Sequence, residues 1–185
     1  SMTPVELLQR WGFSWAGLVD NRKGEWWLLA QLLLIAAHLL PPTPPPAALG
    51  LAWPPALRWV GALLLLLGLL RAWRSAVGLG ASLTPLPQPM AGAPLVCDGP
   101  YRHCRHPLYQ AVLLCSLGVT VMLGSLLHLL LLVALAAVLA RKARREEHAL
   151  ASLHPNYGAY RQSTAAIVPH LPGLDWRAGP EPPSP

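Results

Sequence analysis

The chain of 185 residues is 54% hydrophobic and 12% charged, with a mean hydropathy of +0.40, whereas a soluble domain carries about a quarter charged residues; an ordinary water-soluble fold is excluded. Leucine fills 41 positions against two isoleucines and one phenylalanine, a choice that favours helix and disfavours a transmembrane β-barrel. The net charge of +6 would suit nucleic acid, but the basic residues flank apolar runs, where topology and anionic lipid account for them, so membrane lipids and not nucleic acid are the expected partners.

Residues 1–24 hold Val5, Leu7, Leu8, Trp11, Phe13, Trp15 and Leu18 among few charges. They read either as an amphipathic segment lying in the membrane interface or as an apolar cap packed on the bundle. The first span is expected at 26–40, with Trp26 and Trp27 suited to an interface belt and Pro41 as its stop. At roughly 22 Å it is short. A second span follows the uncharged Pro-rich loop, at 57–73, bracketed by Trp53, Trp59 and Trp73. Residues 111–140 carry no formal charge, and as one helix they would measure about 45 Å against a hydrocarbon thickness of about 30 Å. A turn at Gly124-Ser125 resolves the mismatch, because glycine tolerates the required backbone. The result is a C-terminal helical hairpin with spans at 108–123 and 126–140.

All Lys and Arg except Arg58 fall in three segments, Arg10 to Lys23, Arg71 to Arg105 and Arg141 to Arg177. Four spans put all three on one side and satisfy the positive-inside bias with both termini cytoplasmic. The expected fold is all-α, a multi-pass transmembrane helical bundle in which residues 25–172 form a single domain. The Pro-rich stretch 173–185 reads as a disordered tail.

Polar residues concentrate in two segments on that side. In the first, residues 95–109, Pro107 suits the first turn of a helix and holds His106 extended. Arg105 and His106 then stand at a helix start whose free N–H groups favour an anion such as a carboxylate; the plainer reading is a basic membrane flank. In the second, residues 141–150, Lys142 and Glu146 are spaced for a solvated ion pair, while the adjacent carboxylates Glu146 and Glu147 return beside the His106-Pro107 helix start if the hairpin forms. A carboxylate next to a helix N-terminus can grip both ends of a zwitterion. Cys97, Cys104 and Cys115 give no paired framework. Together with His103 and His106 they match no usual zinc spacing, so no metal site is expected. His38 and His128, isolated in apolar runs, read as groups bonded to backbone or interface partners.

The string Leu95-Val96-x-x-Gly99-Pro100-Tyr101-Arg102-x-x-Arg105-His106-Pro107-x-Tyr109 leads into the hairpin. Glu146-Glu147-x-x-Leu150, His154-Pro-Asn-Tyr157-x-x-Tyr160-Arg161 and Val168-Pro169 follow it. Together they resemble the isoprenylcysteine carboxyl methyltransferase family and its phospholipid methyltransferase relatives, and Leu79-Gly80-x-x-Leu83-Thr84-Pro85 is similar to the bacterial members' lead-in. The resemblance covers roughly residues 60–172 and leaves 1–55 without support.

That resemblance implies an integral membrane enzyme that binds S-adenosylmethionine and methylates a lipophilic acceptor entering from the bilayer. Carried over by motif, Leu95, Val96, Tyr101, His106, Pro107, Leu108, Tyr109 and Glu146 line the cofactor pocket. Arg105 and Glu147 lie nearest the acceptor as the catalytic pair, Tyr157 and Tyr160 close the pocket, and Lys142 with Tyr160 contacts the acceptor. An isoprenylcysteine-like carboxylate is the leading acceptor. An amine or thiol would need a base, for which Glu147 and His106 are the candidates, and a catalytically silent binding module of the same fold is the alternative from another class.

Overall fold

The computed structural model describes residues 1–178. Helix α1 (Pro4–Trp11) starts on a capping box: the Thr3 hydroxyl accepts the Glu6 N–H at 3.2 Å, and the Glu6 carboxylate accepts the Thr3 N–H at 2.7 Å. It buries none of its residues, and Val5 and Leu8 are exposed. Helix α2 (Trp15–Asp20) is capped by Ser14 and packs through Gly17 against the buried Glu25.

Four longer helices follow: α3 (Glu25–Ala37), α4 (Pro55–Leu79), α5 (Pro107–Leu123) and α6 (Leu126–Leu153), with the short α7 (Tyr157–Ser163) after them. The architecture is all-helical, and no strand occurs among the described residues beyond one isolated parallel bridge between Cys104 and Ala165. Two segments, Pro55–Ser82 and Leu126–Leu153, are long and apolar enough to cross a membrane, while α3 and α5 are shorter apolar helices. Both long helices overrun the expected spans: α4 runs on through Gly78 and ends only at Gly80, whose φ of +51° leaves the helical region, and no proline follows Ala140 until Pro155. Helix α6 is free of charge as far as Ala140. From Arg141 onward it is a polar extension that carries Lys142, Glu146 and Glu147.

Helix α4 meets α5 through glycines. A Cβ added to Gly118 would lie 2.6 Å from the Leu65 nitrogen and 2.7 Å from the Gly61 oxygen, so the two backbones touch where a side chain would stand. The opposite face of α4 leaves Leu63, Leu66, Leu67 and Leu70 exposed, as a helix facing lipid requires. Helix α5 ends at Gly124 in the left-handed conformation, φ +60°, and a Cβ there would strike the Trp53 ring at 2.4 Å. Ser125 then caps α6.

The two apolar-run histidines join α3, α5 and α6. His38 Nδ1 sits 2.7 Å from the Leu34 oxygen and Nε2 2.6 Å from the Ser116 hydroxyl; His128 Nδ1 sits 2.8 Å from the Ser125 hydroxyl and Nε2 3.1 Å from the His38 oxygen. A carbonyl only accepts, which makes His38 the Nδ1–H and His128 the Nε2–H tautomer. Each ring has a partner at both nitrogens, so two polar groups in apolar surroundings are satisfied.

Residues 173–178 are not a loose tail, contrary to the expectation from composition. Residues 164–176 form a strap held by Asp175, whose carboxylate accepts N–H bonds from Ala166 at 3.1 Å and His170 at 2.9 Å. Ile167 is fully buried in the core with Tyr109, Leu113, Leu135, Leu139 and Ala143. Proline content made the segment look unfoldable, but a strap needs few repeated backbone bonds once a carboxylate gathers its N–H groups. The remainder of that expectation, 179–185, lies outside the described residues.

Candidate functional site

The site forms where the loop before α5, the polar extension of α6, α3 and the strap converge. Pro107 opens α5 with His106 at the cap, φ −126°. The strap fixes the approach: the Arg105 N–H donates to the Ala165 oxygen at 2.8 Å and the His106 N–H to the Ala166 oxygen at 3.0 Å. The His106 ring stacks on Tyr109, centroids 5.5 Å apart and 8° from parallel.

A cavity of about 170 Å³ is bordered by Tyr101, Arg105, His106, Leu108, Tyr109, Lys142 and Glu146, with Leu28, Gln31 and Leu32 of α3 and Leu79 of α4 completing its wall. A second lobe of about 70 Å³ shares Leu79, Thr84, Tyr101, Arg105 and Glu146, and adds Leu95, Val96, Leu150, Tyr157 and Tyr160. Both lobes have Arg105 and Glu146 as charged walls, and the second sets the apolar Leu95, Val96 and Leu150 beside Tyr157 and Tyr160. Of the residues expected at the site, all border these lobes except Pro107, which is buried as the first residue of α5, and Glu147.

Glu147 borders a neighbouring cavity of about 130 Å³ with Arg144, Arg161 and Trp176. Its carboxylate is fully engaged: Arg105 Nε lies 2.8 Å away, the Tyr157 hydroxyl donates at 2.8 Å, the Trp176 indole N–H donates to the other oxygen, and His106 Nε2 is 3.5 Å away. Burial pushes this carboxyl's pKa up, but the contacts with His106, Arg105 and Tyr157 outweigh it and hold it below the usual carboxylate range. Arg105 in turn donates to the Arg161 oxygen at 2.6 Å, the Thr164 oxygen at 3.1 Å and the Trp176 oxygen. Burial lowers the Arg105 pKa, opposed mainly by Glu147.

Glu146 is different. Its only hydrogen bond among the described residues comes from the Tyr109 hydroxyl at 3.0 Å, and burial raises its pKa against the pull of His106 and Lys142. It is a carboxylate facing a cavity with room for a cation. Lys142 donates to Gln31 at 2.6 Å and lies 5.1 Å from the centre of the Tyr109 ring, so the solvated Lys142–Glu146 pair is not formed and the amine is buried. The Tyr160 hydroxyl donates to the Tyr101 oxygen at 2.6 Å and closes the second lobe, with its pKa raised chiefly by burial.

Sequence reasoning missed Gln31 and Trp176. Gln31 was findable as the one polar residue between Trp27 and His38 in an apolar run. Trp176 carried no signal, because it lies in the Pro-rich C-terminal stretch and reaches the site only through the strap. Among the described residues no group of three or more His, Cys, Asp or Glu is placed to hold a metal ion.

Side by side the lobes offer a carboxylate at Glu146 with one hydrogen bond, the start of α5 with His106 and Lys142 beside it, and an apolar wall of Leu95, Val96 and Leu150.

A family model described as phospholipid methyltransferase matches residues 56–157. The chain is 38% identical over 118 residues to the cobalt-zinc-cadmium resistance protein CzcN of Cupriavidus metallidurans, covering 61% of this chain and 52% of that protein. It is 33% identical over 115 residues to the nickel-cobalt-cadmium resistance protein NccN of Alcaligenes xylosoxydans xylosoxydans, covering 61% and 53%. The chain thus spans about half the length of these curated relatives. No solved structure matches. The family match takes in the loop before α5, the turn at Gly124 and the Glu146-Glu147 pair, and stops short of the strap. By a match over more than half of its length, the chain belongs to the phospholipid methyltransferase family.

Proposed function

We propose that the protein is a membrane methyltransferase that uses S-adenosylmethionine to methylate a lipophilic acceptor, an isoprenylcysteine-like carboxylate being the leading candidate. The observation that carries this reading is the bilobed cavity, where Glu146 faces open space beside the His106-Pro107 helix start. Four spans with both termini cytoplasmic belong to the same reading. The contacts between residues 104–106 and 165–166 support it, because they require the loop before α5 and the C-terminal strap to share one side.

When bound, S-adenosylmethionine supplies a methyl on a sulfonium, whose displacement neutralises charge and is favoured in a dry, oriented site. Glu146 takes the cofactor's ammonium, and the first turn of α5 with Lys142 takes its carboxylate. Leu95, Val96 and Leu150 hold the adenosine, with Tyr101 as a wall between the lobes. Arg105 borders both lobes and orients the acceptor, and Glu147 acts through Arg105 as a positioning residue. A carboxylate acceptor needs no base. An amine or thiol acceptor would hand its proton to His106, because Glu147 is already committed to four partners.

The lipophilic character of the acceptor is supported by an apolar cavity of about 290 Å³ one to two helical turns deeper along α3, α4 and α5, bordered by Ile35, Leu65, Leu69, Val112 and Leu135. It is large enough for part of an isoprenoid or acyl chain. The names of the two relatives make metal tolerance of the host a phenotype to score, and they name no acceptor.

Calorimetry with S-adenosylhomocysteine on protein in lipid nanodiscs tests the cofactor, and labelled S-adenosylmethionine incubated with a lipid extract, followed by mass spectrometry, identifies the acceptor. Absence of S-adenosylhomocysteine binding would favour the silent binding module. Cysteine labelling that placed residues 90–106 and 170–178 on opposite faces would overturn the topology.

A further inference from the structure

A groove of about 600 Å³ runs along the outer face of α4 and is floored by Gly99 and Pro100 of the turn before α5. Its wall residues Leu67, Leu70, Arg74 and Val77 lie on the side of α4 away from Gly61 and Gly68, the stripe that meets α5, with Arg71 on the flank between the two faces. None of the groove residues borders the two lobes of the candidate site, and Tyr101 stands between the groove and those lobes.

Chemistry changes along its length. Leu67 and Leu70 give an apolar half toward the middle of the helix, and one turn further on stand Arg71 and Arg74 with Trp73, whose exposed ring marks a membrane interface. Neither arginine has a carboxylate within ion-pair distance among the described residues, where every ion pair lies elsewhere. Asp98, the chain neighbour of Gly99, pairs with neither. The Nε of Arg71 is buried without a hydrogen-bond partner, and the neighbours its guanidinium does reach, the Cys104 thiol and the Tyr101 phenol, bring no negative charge to answer it. A half-buried guanidinium at the edge of an apolar groove, with one N–H shielded from water and no acid facing it, is better satisfied once an anion answers it.

We infer that this groove is a binding site for one anionic phospholipid, its phosphate held by Arg71 and Arg74 and one acyl chain laid along Leu67 and Leu70. Two cations without a facing acid select a lipid of net negative charge over a zwitterionic one. The apolar half selects a lipid over free phosphate. The inference does not rest on the methyl-transfer reading: Gly78 and Pro100 stand against Tyr101, a wall of that cavity, but neither Arg71 nor Arg74 borders it.

The test is native mass spectrometry of the full chain released from neutral detergent, with equimolar dioleoyl phosphatidylglycerol and dioleoyl phosphatidylcholine. The phosphatidylglycerol adduct is expected at least fivefold above the phosphatidylcholine adduct. It should fall to near parity in R74Q and in R71Q/R74Q, persist in R58Q at the other end of α4, and survive millimolar inorganic phosphate. Parity in the unaltered protein, a preference that persists in R74Q, or displacement of the lipid by inorganic phosphate would each overturn the inference. Arg74 is exposed, so R74Q decides the matter even if the double variant fails to fold.

Discussion

Arg105 and Glu147 are joined by a 2.8 Å ion pair in which neither side chain is more than 4% exposed, and the pair ties the loop before α5 to the polar extension of α6. Around it α7 supplies one carbonyl acceptor for Arg105, from Arg161, and the strap two more, together with the Trp176 N–H for Glu147. Removing one partner leaves a buried charge unanswered. Arg105→Ala and Glu147→Ala are each expected to destabilise the protein by about 3–5 kcal/mol, read as loss of thermal stability in detergent. The apolar pair R105M/E147M should recover most of that stability while remaining inactive. Recovery of activity with it would show that the charges are not needed in turnover.

Glu146 presents the opposite case, a carboxylate with one hydrogen bond and open space before it. Glu146→Gln is expected to keep the fold and weaken S-adenosylhomocysteine binding at least tenfold, in line with a charge-assisted bond worth about 1.5–3 kcal/mol. His106→Ala removes the ring stacked on Tyr109 and should weaken binding comparably. Calorimetry on both variants checks this, and unaltered affinity in both would remove the cofactor from this cavity.

Acid should release the strap. Burial works against the charge on Asp175, but N–H bonds from His170 and Ala166 and the Arg177 guanidinium hold its pKa at about 2; Glu147 is also held below the ordinary range. Both folded-state values are depressed. The stabilisation is therefore present above the ordinary carboxylate range and is lost as pH falls from about 4 toward 2. The 5-fluorotryptophan NMR signal of Trp176, assigned with W176F, is expected to stay constant from pH 8 to 5 and move below that. In D175N it should already sit near its acid position at neutral pH.

Trp176 also stacks under two cations, Arg144 at 4.6 Å and Arg105 at 5.6 Å from the ring centre. Trp176→Phe keeps a ring but loses the bond to Glu147. A several-fold drop in kcat with a small change in S-adenosylhomocysteine affinity is the expected split, because Trp176 positions Arg105 and does not touch the cofactor lobes.

Gly118 and Gly61 set the distance between α4 and α5. Gly118→Val would force a side chain into the Leu65 backbone, and overpacking of this kind costs typically 1–3 kcal/mol. Thermal unfolding should show the loss, with Gly80→Ala, where a Cβ meets nothing within 4 Å but the backbone is at φ +51°, as the comparison for backbone strain alone.

Much of this was determined by the sequence itself. Charge-free runs ended by prolines and tryptophans give helices of the observed order, Gly124-Ser125 gives the turn before α6, and the spacing from Leu95 to Tyr109 and at Glu146-Glu147 carries the family, because each is a local or short-range pattern. Tertiary structure alone decided which charges are spent and which are free. Glu146 and Glu147 are neighbours in sequence with the same chemistry, but the 100° step of the helix turns one into the cavity and the other into the Arg105 and Trp176 contacts. The strap and the reach of Gln31 to Lys142 depend on contacts across 29 and 111 positions, and no periodicity records contacts at that range.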